Sequence, residues 1–135
     1  MKIHEILGVV VVEWNEETKT VVDTWTSYTI KVSEFREAIL TKGLAYAKAQ
    51  HARAWVVDSS KAKGAYPPDV QDLIAKEVFK EFAGIGIKYF VTIKSDSAIA
   101  NLAFNRVTAQ LGPYGIQMVE VPDLSGAIAW LKEHP

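Results

Sequence analysis

Ala54-Trp55-Val56-Val57-Asp58-Ser59-Ser60 is the stretch on which the fold turns. Four consecutive apolar residues without polar alternation describe a short strand buried on both faces, and the acid and serines after it describe the polar loop that the strand emits. A strand covered on both sides needs helices packed against its sheet, so the flanking sequence should take on a helical period. Upstream, Phe35, Ile39 and Tyr46, with Ala38 and Ala45 beside them, form one apolar stripe. Ser33 is the natural N-cap of that helix, and Glu34 and Glu37 stand where the helix dipole favours acids. Downstream, Pro67 or Pro68 opens a second helix with the stripe Val70, Leu73, Ile74, Val78 and Phe82, stopped by Gly84 and Gly86.

Farther out the same alternation repeats. Residues 87–93 predict a strand, Ser97 to Leu111 a helix, Gly112-Pro113-Tyr114-Gly115 a turn, and residues 116–121 a strand. A last helix starts near Asp123, with Leu124, Ala127, Ile128 and Leu131 as its stripe. At the other end, residues 3–14 and 19–30 are rich in valine, isoleucine, threonine and tryptophan and flank the turn Asn15-Glu16-Glu17-Thr18, which predicts an antiparallel hairpin. The order predicts an α/β fold: a mixed, mostly parallel sheet opened by a β-hairpin, with about four helices, in a single domain over residues 1–135.

Composition narrows the function classes. The chain has no cysteine, which excludes a disulfide framework, a thiolate zinc site and a cysteine nucleophile. Its 15 basic and 16 acidic side chains leave a net charge of −1, without the cationic excess that grips nucleic acid. No purely apolar run, Val9 to Val12 included, approaches the roughly 20 residues of a membrane span. The start of the chain lacks the pattern of a secretory signal, so a cytoplasmic location is expected.

In a parallel sheet, functional groups gather beyond the carboxyl ends of the strands. The loop 58–68 is the longest and most polar of those ends, and Asp58, Lys61, Lys63 and Tyr66 are its candidate binding residues. The plainer reading is that Asp58 and Ser59 satisfy nearby backbone amides, as such residues do in turns. No histidine is placed to activate Ser59 or Ser60, no Gly-x-Ser-x-Gly elbow exists, and no acids and histidines recur at metal-ligand spacing, so neither a metal nor a cofactor is expected. Gly84-Ile85-Gly86 precedes a strand and reads as a helix stop. Phe79, Phe104 and Trp130 sit beside their helices' main stripes and are the candidate interface of a homodimer.

The element order together with Val56-Val57-Asp58-Ser59-Ser60 resembles the STAS domain of the SpoIIAA-type anti-sigma factor antagonists, which shares its architecture with SEC14-like lipid-binding domains. Trp25, the helix start Glu34-Phe35-Arg36 and Asp58 are similar to features of the uncharacterised single-domain bacterial members of that group. The resemblance implies a serine phosphorylated by a partner kinase, by position Ser60 with Ser59 beside it. Lys61 stands where the family has glycine.

The leading expectation is therefore a non-enzymatic bacterial interaction module, binding a regulatory protein or kinase. The alternative is a carrier or sensor of a small hydrophobic ligand, with Trp25 and Tyr28 as lining residues, which requires a cavity on the order of 300–1,000 Å³. An enzyme built on Asp58 with Ser59 or Ser60 is the third reading, and requires a concave pocket around Asp58.

Overall fold

The computed structural model describes residues 1–108 and 114–135; the expected helix end at Leu111 and the Gly112-Pro113 half of the turn lie outside the described residues. Among the described residues, six strands form one sheet in chain order: β1 (Lys2–Ile6), β2 (Val10–Asn15), β3 (Thr20–Trp25), β4 (Ala54–Asp58), β5 (Tyr89–Ile93) and β6 (Gln117–Val121). The first two pairings are antiparallel, and β3 to β6 run parallel. Among the described residues four helices accompany them: α1 (residues 32–49), α2 (residues 68–84), α3 (Ala98–Thr108) and α4 (Leu124–Glu133). The middle of α1 (Arg36–Gly43) and of α2 (Ile74–Val78) is wound as π-helix.

The α/β sheet expected from the sequence is present, with its opening more elaborate than one hairpin. Residues 3–14 are two strands, because Gly8 takes a φ of +75° and Val9 N–H donates to the Ile6 carbonyl at 3.0 Å, folding the chain back on itself. The second arm ends at Trp25. Beyond it residues 26–31 are tied to the 58–68 loop, with Tyr28 N–H donating to the Lys63 carbonyl (2.9 Å) and Lys63 N–H to that of Thr26 (3.2 Å). The N-cap of α1 is Lys31, two residues before the expected Ser33, and the Glu34 carboxylate reaches back toward the Lys31 N–H at 3.4 Å. Pro67 and Asp123 cap α2 and α4 as expected, and the Asp123 carboxylate accepts the Gly126 N–H at 2.7 Å.

The strand order never reverses. Successive right-handed crossovers stepping in one direction place their helices on one face, and α1, α2 and α3 accordingly bury Phe35, Ile39, Val78, Phe82 and Phe104 against one side of the sheet. The opposite face carries Val22, Ala54, Val56, Val91 and Ile93 and is covered by α4 through Ala127 and Leu131. Strand β4 lies between these layers with Ala54 to Val57 all buried, as its uninterrupted apolar run requires.

One close approach fixes α1 on the sheet. A Cβ built on Gly43 would stand 3.1 Å from Cη2 and 3.3 Å from Cζ2 of Trp55, and 3.0 Å from the Ala38 carbonyl oxygen. Trp55 is fully buried and its ring stacks on Phe82 with centroids 4.2 Å apart, so it has no room to withdraw. In an exposed helix Gly→Ala stabilises by about 1 kcal/mol. At Gly43 the sign is expected to invert, with Gly43→Ala costing about 1–3 kcal/mol, measurable by urea unfolding.

Candidate functional site

Where β3, β4 and β5 end, their loops converge on an open groove of about 440 Å³ lined by Thr26, Ser60, Lys61, Ala62, Lys63, Ser95, Asp96 and Ser97. The loop forming its floor is held rigidly. Ser59 N–H donates to the Ile93 carbonyl (3.0 Å), Ser95 Oγ–H to the Ala62 carbonyl (2.6 Å), and Ser60 N–H to Asp58 Oδ1 (3.0 Å). These bonds leave Lys61 and Lys63 exposed and Ser60 half-buried at the rim. Asp58 is thus occupied in closing its own turn, the plainer of the two roles foreseen for it.

Ser59 faces the other way. It is buried, and the Tyr28 hydroxyl donates to its Oγ. Burial pushes the Tyr28 phenol up to about 12, with the Ser59 bond opposing. A modifying enzyme has no access to Ser59, which removes it as a switch. Tyr66 is likewise no surface contact: it is buried, stacked on Tyr28 at 4.4 Å and set edge-on to Trp25 and Phe35. Helix α2 begins at Pro68, as expected, so Ser60 lies in the loop well ahead of the helix start.

The expected interface residues are also redistributed. Phe79 and Phe104 are buried, because α2 and α3 present a wider apolar face to the sheet than their main stripes indicate. Trp130 is half-covered, between Tyr89 (5.0 Å, edge-on) and the His134 ring (3.9 Å, stacked). The large apolar side chains that α3 exposes are instead Ile99 and Leu102.

Beneath the groove, on the helix-covered face of β3, lies a site that the sequence reading did not single out. Asp23 is 3% exposed and pairs in register with Val12 on β2 and Val57 on β4. Its Oδ2 accepts the Trp55 indole N–H at 2.8 Å. Among the described residues, Oδ1 has no donor. Asp23 borders a cavity of about 30 Å³ walled by Trp25, Phe35, Trp55, Tyr66, Phe79 and Phe104 among others. Burial raises the Asp23 carboxyl from 3.8 to about 7, against the pull of the Trp55 and Trp25 indoles. Burial also holds the Tyr66 hydroxyl well above its ordinary value, with Tyr28 and Asp23 adding to the effect. Of the candidate lining residues, Trp25 walls this cavity, and Tyr28 backs Tyr66 from behind. The volume is about a tenth of the smallest ordinary ligand pocket. The signal for Asp23 was an acid at an inward-facing position of the alternation Val21, Asp23, Trp25.

Among the described residues no three acids and histidines gather as metal ligands, and no helix is long and apolar enough to cross a membrane. Arg53, just ahead of β4, donates to the His134 carbonyl at 2.6 Å, which sets His134 and the neighbouring His51 at the sheet edge opposite Ser60. In comparisons with known proteins the chain matches no family model, no curated protein and no solved structure.

Proposed function

We propose that the chain is a non-enzymatic regulatory or protein-interaction module of the bacterial cytoplasm, whose partner, a regulatory protein or kinase, contacts the strand-end groove and is governed at Ser60. The observation that supports this reading is the convergence of three adjacent parallel strand ends on one polar groove with Ser60 at its rim. The hydroxyls of Thr26, Ser60 and Ser97 and the ammonium groups of Lys61 and Lys63 offer hydrogen bonds and charge to a partner, while the bonds from Ser59 and Ser95 keep the presenting loop in one conformation. A phosphate on Ser60 adds about −1.5 to −2 charges. Placed beside Lys61 and Lys63, it would neutralise the groove's cationic rim and so change what docks there.

The resemblance to anti-sigma factor antagonists, carried by Val56 to Ser60, points to the same serine. Two variants test the switch. Ser60→Ala is expected to keep the set of proteins captured from lysate of the source cells, and Ser60→Asp to weaken the main one about tenfold or more, as measured by quantitative capture. Equal capture by the two, with no phosphate on Ser60 in the protein isolated from those cells, would sink this reading.

A further inference from the structure

We propose that Asp23 and the rings around it form a binding site for a primary ammonium group no larger than methylammonium. This site lies below the strand-end groove and does not depend on the function proposed for it.

A carboxylate is almost never buried without a partner, and here only half of it has one. Oδ2 takes the Trp55 indole N–H, whereas Oδ1, on a residue that lines the cavity, makes no hydrogen bond among the described residues, although the Trp25 indole is close enough to ease the carboxylate's charge. The missing partner therefore has to carry N–H or O–H groups. Its charge follows from the walls. No lysine, arginine or histidine lines the cavity among the described residues, and the faces of aromatic rings carry negative potential, which attracts cations. An anion is repelled by both Asp23 and the rings. A water molecule donates a hydrogen bond but leaves the charge of the ionised carboxylate unbalanced, and a proton balances that charge only below about 7. A metal cation finds one carboxylate and the Tyr66 phenol among hydrocarbon, not the six or more oxygens that hard ions require.

Size makes the choice narrower. A cavity needs at least about 10–15 Å³ to hold one water-sized group, so the 30 Å³ beside Asp23 admits about two heavy atoms. Methylammonium has two. Tetramethylammonium is too large and has no N–H to give to Oδ1. The pairing is a charge-assisted hydrogen bond among buried side chains, with cation–π contacts from the rings.

Trp25 and Trp55 line the cavity and report on it directly. The full chain is titrated with methylammonium chloride at pH 8, against sodium chloride and tetramethylammonium chloride at equal ionic strength. Tryptophan fluorescence and the NMR resonance of the Trp55 indole N–H are followed. Methylammonium is expected to give a saturable change with a half-point on the order of 1 mM, and the two other salts none. Asp23→Asn is expected to weaken the response at least about tenfold. Should that variant not fold, the Asp23 carboxyl resonance of the wild-type protein serves instead: it is expected to titrate at lower pH in methylammonium than in sodium. No saturable response, the same response to all three salts, or an undiminished response in Asp23→Asn overturns the proposal. Each of these outcomes leaves the Ser60 experiment unaffected.

Discussion

Replacing Asp23 by Asn is expected to make the protein more stable at pH 8, by on the order of 4 kcal/mol, and to change little near pH 4. The carboxyl sits near 7 in the folded chain and near 3.8 when exposed, so the folded state holds its proton over a range where the unfolded state has lost it. Stability therefore falls as pH rises through that window. The contribution of the protonated carboxyl is fully present below 3.8 and lost as pH climbs through about 7. A difference of about three pKa units corresponds to about 4 kcal/mol, a large part of the 5–15 kcal/mol that holds an ordinary domain together. Asparagine keeps the oxygen that accepts from Trp55 and removes the charge. Urea unfolding of both proteins at intervals from pH 4 to 8.5 measures the effect, and subtracting the two curves cancels the exposed carboxylates common to them. Parallel curves would show that Asp23 is not desolvated in the way its burial indicates. The direction is the informative part, since a buried polar residue whose replacement stabilises is retained for something other than stability.

Truncating Trp55 to Ala is expected to have a similarly large effect of opposite sign, a loss of about 3–5 kcal/mol. Trp55 is fully buried on the central strand, stacks on Phe82 and closes against Gly43 of α1, so its removal opens a void shared by β4, α1 and α2. It also strips Asp23 of the donor at Oδ2. Trp55→Phe separates these contributions, since it keeps most of the ring and deletes the indole N–H. Its cost at pH 8 is expected to contain about 1.5–3 kcal/mol for a hydrogen bond to a charged acceptor, shrinking to about 0.5–1.5 kcal/mol near pH 4, where the acceptor is neutral. A double-mutant cycle with Asp23→Asn reads the coupling itself. A Trp55→Phe penalty independent of pH would mean that the indole contributes packing alone.

Residues 54–60 illustrate how far a local reading reaches. An apolar run too short for a helix, bounded by turn formers, is a buried strand in almost any context, because four side chains pointing alternately to two faces can be satisfied only if both are covered. That covering in turn predicted the helices and the parallel pairing. The boundaries slipped where a single backbone detail decided them. Gly8 splits residues 3–14 into β1 and β2, and a strand pattern looks the same with or without that fold-back. Lys31 displaced Ser33 as the N-cap because residues 26–31 are held by the 58–68 loop, a contact across more than thirty positions.

The site was legible to a lesser degree. That Ser60, Lys61 and Lys63 stand beyond a strand end follows from their place after β4, and all three line the groove. That Ser59 is sealed under Tyr28, and that Tyr66, Phe79 and Phe104 are buried, depends on which helices pack on which face. Periodicity gives the direction of a side chain on its own element, but not the width of the surface that will cover it.

The chain's local chemistry thus determined its class and the order of its elements: uninterrupted apolar strands, helical stripes between them, proline and aspartate at helix starts. These are short-range effects of sterics and hydrogen bonding, and they are written residue by residue. Only the tertiary structure decided that Asp23 would stand buried with one oxygen unpartnered among the described residues, ringed by Trp25, Phe35, Trp55, Tyr66, Phe79 and Phe104 from five different elements and a loop. In the sequence Asp23 is an acid at an inward-facing position between Val21 and Trp25, and nothing local shows how completely that position is shut off from water. Desolvation depends on everything within several ångströms, whatever its distance along the chain, and so is set by the assembled fold.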